Sequence, residues 1–283
     1  MSTVIKKVLL LFLTLILSFA IVGCAEEELV QEEIDQIVAD AVIASTDVDT
    51  SKFDMDMLMT IEVIGGVEPG EMTMLTDFTG AVDNANKEMQ MTINMTMDVT
   101  GEGKQGIATE FYIVGEWMYM KTDIPVIGGQ WMKTRLTEEM WEAESQIGSQ
   151  IALLEAATEV DLLGSESVRG TACYVVEIVP SMEALGKLLS QQTTGLENID
   201  WEELKLFKET SIREWIAKDS YLLMKAEIHM LMEMRPEHIG ATEEDFEKMT
   251  MDINIEMKLY DYNKPVSIEL PQEALGALEM PGG

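Results

Sequence analysis

The stretch Glu88-Met-Gln-Met-Thr-Ile-Asn-Met-Thr-Met-Asp-Val-Thr100 decides the fold. Met89, Met91, Ile93, Met95, Met97 and Val99 take every second position. Glu88, Gln90, Thr92, Asn94, Thr96 and Asp98 stand between them. Successive side chains of a strand point to opposite faces, so this unbroken period of two predicts a strand with one apolar and one polar face. Upstream, Phe53, Met55, Met57, Met59, Ile61 and Val63 alternate with Asp54, Asp56, Thr60 and Glu62, Leu58 being the exception. Far downstream, Met249, Met251, Ile253, Ile255, Met257 and Leu259 alternate with Asp252, Asn254, Glu256 and Lys258. Further strands are expected over 71–79, 109–114, 117–121, 130–134, 173–179, 211–218 and 221–234, and a closing extended piece over 265–271. Turn-forming clusters at 65–70, 83–86 and 101–106 separate neighbouring strands, which predicts an antiparallel meander.

Helical spacing marks residues 26–45, where Val30, Ile34, Ile37, Val38, Ala41 and Val42 recur on one face. Thr137 has the chemistry of an N-cap for a helix running to Ala157. Pro180-Ser181 opens a helix over 182–189, and 201–209 is compatible with another. The expected class is α+β. It consists of one large curved antiparallel sheet of about nine to eleven strands, curling into an incomplete barrel with helices on its concave face.

The first residues carry a different message. Lys6-Lys7 precede an apolar run over 8–22 whose only polar residues are Thr14 and Ser18, and Ile21-Val-Gly-Cys24 follows. A short basic segment, an apolar stretch and small residues form a secretory signal peptide, and the run is short for a membrane span. The last four residues resemble the lipobox of bacterial lipoproteins. In that family cleavage precedes the cysteine, which carries a diacylglycerol. The expectation is a signal peptide over 1–23 and a single domain over 24–283, lipidated at Cys24 and held on the extracytoplasmic face of the cell membrane (the outer membrane if the cell has one).

The formal net charge is -33, and the leader contributes only two of the nineteen basic residues. Such a surface repels nucleic acid and anionic lipid headgroups, so neither is an expected partner. Cys173 is the only cysteine besides Cys24, so with Cys24 lipidated no internal disulfide can form in 24–283. It lies in an apolar run and reads as a buried small hydrophobe. His229 and His238 are the only histidines, and no Gly-x-Ser-x-Gly, His-Glu-x-x-His or phosphate-loop pattern accompanies them. Asp47-Val-Asp49-Thr-Ser51 starts like a calcium loop but has Lys52 and Leu58 where Gly and Glu belong. No catalytic residue, metal site or cofactor is expected, and the chain does not read as an enzyme.

Twenty-three methionines and only 6 % aromatic residues make the apolar stripes soft. Met replacing Leu or Ile as packing is one reading. A second is a pliable lining for acyl chains, like the Met-rich surfaces of adaptable binders. A third, copper held by Met-x-Met pairs, lacks any neighbouring His-Met cluster. On the second reading the lining residues are Met55, Met57, Met59, Met89, Met91, Met95, Met97, Met249, Met251 and Met257.

The order of elements resembles the LolA/LppX-like superfamily of bacterial lipoproteins and lipoprotein carriers. Glu116-Trp-Met-Tyr-Met-Lys121 followed by Gln130-Trp-Met-Lys133 resembles that family's paired short strands. Gly170-Thr-Ala-Cys-Tyr-Val-Val-Glu-Ile178 resembles its G-x-x-x-Y-x-V strand. Glu214-Trp-Ile-Ala-Lys-Asp-Ser-Tyr-Leu-Leu-Met-Lys225 resembles its W-I-D-x-x-T-x-L-x-x-K hairpin, with Ala217 in place of the Asp. Pro265-Val-Ser-Ile-Glu-Leu-Pro-Gln-Glu-Ala274 resembles its closing V-x-I-x-L-P-x-E-A. The resemblance implies a curved sheet, lidded by helices, whose concave face binds lipid or lipoprotein acyl chains. The function it implies is a membrane-anchored lipoprotein that binds or transfers lipid. The alternative is a non-catalytic surface interaction or structural lipoprotein with a filled core.

Overall fold

The computed structural model describes residues 30–66, 69–101, 103–123, 128–138, 140, 141, 152–182, 185, 206–239, 242 and 244–280. The signal peptide, Cys24, and most of the expected helices over 137–157, 182–189 and 201–209 lie outside them. Helix α1 (Gln31–Thr46) turns Ile34, Ile37, Ala41 and Ser45 inward at helical spacing. Glu32 and Glu33 complement the positive end of its dipole.

The strands are β1 (Thr50–Ile64), β2 (Gly70–Asp83), β3 (Glu88–Val99), β4 (Gly103–Val114), β5 (Trp117–Asp123), β6 (Met132–Arg135), β7 (Ala157–Val168), β8 (Thr171–Pro180), β9 (Phe207–Ala217), β10 (Leu223–Met234), β11 (Lys248–Tyr260) and β12 (Leu278–Glu279). They form one sheet in the order β12-β6-β5-β4-β3-β2-β1-β11-β10-β9-β8-β7. All pairings are antiparallel except β12 with β6. The sheet is open, an incomplete barrel made of two meanders: β1 to β6 run outward from the centre, and β7 to β11 return to it. Residues Glu32–Gly283 form one compact unit.

Two meanders need one long crossing. The chain leaves β6 near one edge and re-enters as β7 at the other. Thr137 caps the start of this crossing: its Oγ1 accepts from the Met140 amide at 3.2 Å, and its carbonyl accepts from the Trp141 amide at 3.1 Å. Leu136 and Trp141 then join a core cluster containing Phe53, Met89, Phe111, Ile113, Met257 and Leu259. This cluster defines the inner face of the sheet. Gly80 makes it possible: a Cβ there would stand 2.5 Å from Cζ of Phe53, so the ring lies over β2 only because no side chain is present.

The sheet departs from expectation at four places. Strand β7 lacks the clean alternation of the other long strands, because register shifts at Ala157/Glu159 and Leu162/Gly164 break its period. Residues 207–209 belong to β9 rather than to a helix. Residues 265–271 join no strand, and the closing pair is Leu278 and Glu279 against Met132 and Lys133. The strand number therefore exceeds the expected nine to eleven.

Candidate functional site

Directly opposed residues of paired strands share a face, so the register assigns every side chain a side. Met55 opposes Met257 and Phe78, Met57 opposes Ile255 and Thr76, and Met59 opposes Ile253 and Met74. On β3, Met89, Met91, Met95 and Met97 oppose Val82, Gly80, Thr76 and Met74. On β11, Met249 and Met251 oppose Val63 and Ile61, and on their other side Met234 and Met232. All ten candidate methionines thus stand on the inner face. Met72, Met74, Met230, Met232 and Met234 extend the same stripe. They follow the same alternation, which was the signal for including them.

Burial divides this face along the strands. At the end marked by Phe53, Met89 and Met257 are 1 % exposed, and Met91 is also buried. Met55 packs against that cluster from the margin. Beyond it, Met57, Met59, Met72, Met74, Met95, Met97, Met249 and Met251 are all half-buried. On β10 Met230, Met232 and Met234 are covered as well. The inner face therefore has a closed end and, on β11, β1, β2 and β3, a methionine end.

A single row of opposed residues crosses the inner face, and on β1, β2 and β3 it separates the two ends. It reads Val176 on β8, Glu214 on β9, Ala226 on β10, Met257 on β11, Met55 on β1, Phe78 on β2 and Ile93 on β3. Glu214 is the anomaly. It is 0 % exposed, and neither carboxyl oxygen has a hydrogen-bond partner among the described residues. Burial alone raises its pKa to about 8, so at neutral pH it is a carboxylic acid rather than a carboxylate. The charge of ionised Glu214 also reaches Tyr262, whose phenol is pushed upward chiefly by burial and donates to the Leu223 carbonyl. In the next row Thr76, opposed to Met57 and Met95, also has an unpartnered, buried hydroxyl. Sequence reasoning named the strand but not Glu214. The signal was its phase: it falls between Ile212 and Ile216, where the alternation calls for an apolar side chain.

The opposite face is polar. A groove of 580 Å³ there is lined by Asp56, Leu58, Arg213, Glu227, His229 and Glu256, among others. Lys225 bridges Glu227 at 2.5 Å and Glu256 at 2.7 Å, and Lys258 meets Glu256 at 2.6 Å. These bonds hold Glu256 below the ordinary carboxylate range. His229 sits 3.2 Å from Asp252, and Nδ1 of His238 accepts from the Arg235 amide. Cys173 is buried on this side beside Val168, Val175 and Trp215, and burial raises its thiol pKa. Among the described residues no three His, Cys, Asp or Glu side chains converge as a metal site. No described helix is long and apolar enough to cross a membrane.

Residues 33–279 match the model of a family of unknown function, DUF6612. The chain belongs to that family. No curated protein matches it. Among solved structures it is similar to the lipoprotein LppX of Mycobacterium tuberculosis, at 13 % identity and a TM-score of 0.44, over 85 % of this chain and 100 % of that one. It is similar to LprF of Mycobacterium bovis at 14 % identity and a TM-score of 0.45, over 85 % and 98 %. A putative outer membrane lipoprotein-sorting protein domain of Vibrio parahaemolyticus shares 12 % identity at a TM-score of 0.25, over 82 % and 93 %.

Proposed function

We propose that this DUF6612 chain is a lipoprotein, anchored through Cys24 on the extracytoplasmic side of the membrane, that takes up an acyl chain at the methionine end of its inner face. One observation carries the reading. A continuous apolar surface crosses β11, β1, β2 and β3, and beyond the closed end its methionines are only half-buried. Each methylene taken out of water contributes roughly 0.8 kcal/mol. About twelve methylenes therefore contribute on the order of 10 kcal/mol, enough to offset much of the entropy lost on association. Thioether side chains repack at low cost around chains of differing shape. The lining is then Met55, Met57, Met59, Met95, Met97, Met249 and Met251, with Met89, Met91 and Met257 as its floor. The reaction is transfer without covalent chemistry.

Native mass spectrometry of the chain from Ala25 onward, followed by organic extraction, tests this. A stoichiometric lipid adduct is expected. A bare protein that also fails to take up a fluorescent fatty acid would make the inner face a filled core and the chain an interaction module. Radiolabelled palmitate fed to expressing cells should label the protein, and Cys24→Ala should abolish the label.

A further inference from the structure

We propose that the outer face of the sheet is a docking surface for a basic amphipathic helix of a partner protein, seated in the groove at Leu58 and Leu75. The inference does not depend on the acyl-binding reading, which concerns the other face. Leu58 is the exception to the alternation of β1, and the residue directly opposed to it on β2 is Leu75. The two are 41 % and 47 % exposed, and both line the 580 Å³ groove. The outward positions around them are polar: Asp56 and Thr60 on β1, Thr73 and Asp77 on β2, Thr96 on β3 and Asn254 on β11. Two branched apolar side chains held side by side in water gain by being covered.

Charge complementarity names the occupant. Asp56 and Asp77 are directly opposed beside the leucines, and burial together with the Asp77 carboxylate raises the pKa of Asp56. Like charges opposed in this way destabilise a strand pair, and a cation laid between them relieves the cost. The bases of this face are engaged elsewhere: Lys258 bonds Glu256 at 2.6 Å, Lys225 spans Glu227 and Glu256, and Arg213 meets Glu177 at 3.3 Å. The fitting partner therefore brings its own lysines or arginines together with an apolar side chain. Topology sets its backbone. Strands β1 and β2 are paired on both sides, so no ladder is open to an added strand, and an extended peptide would lie here with its amides unpaired. A helix satisfies its own backbone and offers side chains alone. The row from Leu75 through Leu58, Asn254 and His229 to Ser211 lines the groove and crosses four strand spacings, about 19 Å. That is the length of about thirteen helical residues. The leucine pair and the aspartate pair stand two residues apart along the strands, within reach of an apolar side chain and a lysine one turn apart on such a helix.

The test is fluorescence anisotropy of a labelled leucine–lysine amphipathic helix of about that length, titrated with the chain beginning at Ala25. Wild type should bind it, and more weakly as salt rises. Leu58→Thr combined with Leu75→Thr extends the polar pattern with residues suited to strands. It should weaken binding about tenfold and melt close to wild type, which separates lost recognition from lost folding. Asp56→Asn combined with Asp77→Asn should weaken binding about threefold. Glu62 and Glu71 form another opposed, exposed acidic pair on the same strands and the same face, away from the leucines. Glu62→Gln combined with Glu71→Gln changes the net charge equally and should leave binding within about twofold. Absence of binding by wild type, or an equal loss from the two acidic pairs, would overturn the assignment. Unchanged binding by the leucine variant would also overturn it and leave a surface that attracts cations alone. A wild-type dimer in sedimentation that the leucine variant dissolves would give the groove to a second copy of this chain instead.

Discussion

The two ends of the inner face are built from the same residue type on the same strands, yet they differ in kind. Met89 and Met95 are six residues apart on β3 and point the same way. The first is sealed beneath Ile113, Val82 and the core cluster, and the second stays half-buried between Thr76 and Ile107. Alternation sets the side of a residue, and only what is laid over that side sets its burial. At the closed end the cover includes Leu136, Trp141 and Tyr262, all from connections rather than strands. The comparison teaches that a methionine stripe is one surface by sequence and two surfaces by structure, one packed into a core and one half-buried.

Breaking the closed end should have the largest effect. Phe53 is fully buried at its centre, so Phe53→Ala should cost about 3–5 kcal/mol, read as a lowered urea midpoint. An unchanged midpoint would mean that this end is not a packed core.

Glu214 tests the sealing of the inner face through pH. Its acid is held at a pKa of about 8 in the fold against 4.5 for an unperturbed glutamate. Between these values the unfolded chain has released the proton and the folded chain retains it, so stability falls as pH rises, by about 1.4 kcal/mol per unit, and levels off above pH 8. Below the unfolded value the penalty is absent. Glu214→Gln lacks this dependence, so its advantage over wild type should grow from pH 5 to pH 8. Paired thermal melts at those values check it, and a constant gap would place the carboxyl in contact with water.

Gly80→Ala comes next. The added methyl collides with the Phe53 ring, a rigid neighbour, and should cost about 1–3 kcal/mol. A neutral outcome would show that the closed end can yield. The smallest stability effect belongs to the methionine end. Met97→Ala should change stability by less than about 1 kcal/mol, since the side chain is only half-buried, while weakening uptake of a fluorescent fatty acid. If Met97→Ala destabilised as strongly as Phe53→Ala, the division of the face would be lost.

Much of the architecture was legible beforehand. The stripes of β1, β3 and β11 read directly, because a period of two is a local property that each strand displays alone. Thr137 read as a cap for the same reason, its hydroxyl acting on amides three residues away. Strand β7 did not, since its bulges shift the phase and its meaning comes from pairing with β8. β12 is two residues long and exists only through β6. Glu214 was one of 52 acids, and its phase between Ile212 and Ile216 gave its side of the strand but not its complete burial, which comes from what packs over that side.

By itself, then, the sequence determined the strand faces, the antiparallel meander, the acidic exterior and the methionine character of the interior. These follow from side-chain alternation and composition, which need no partner. Only the tertiary structure decided that β11 docks on β1, that one end of the inner face is sealed, and that Glu214 lies buried without a partner among the described residues. Those features depend on segments far apart in the chain meeting across the sheet, and burial is a property of the meeting rather than of the residue.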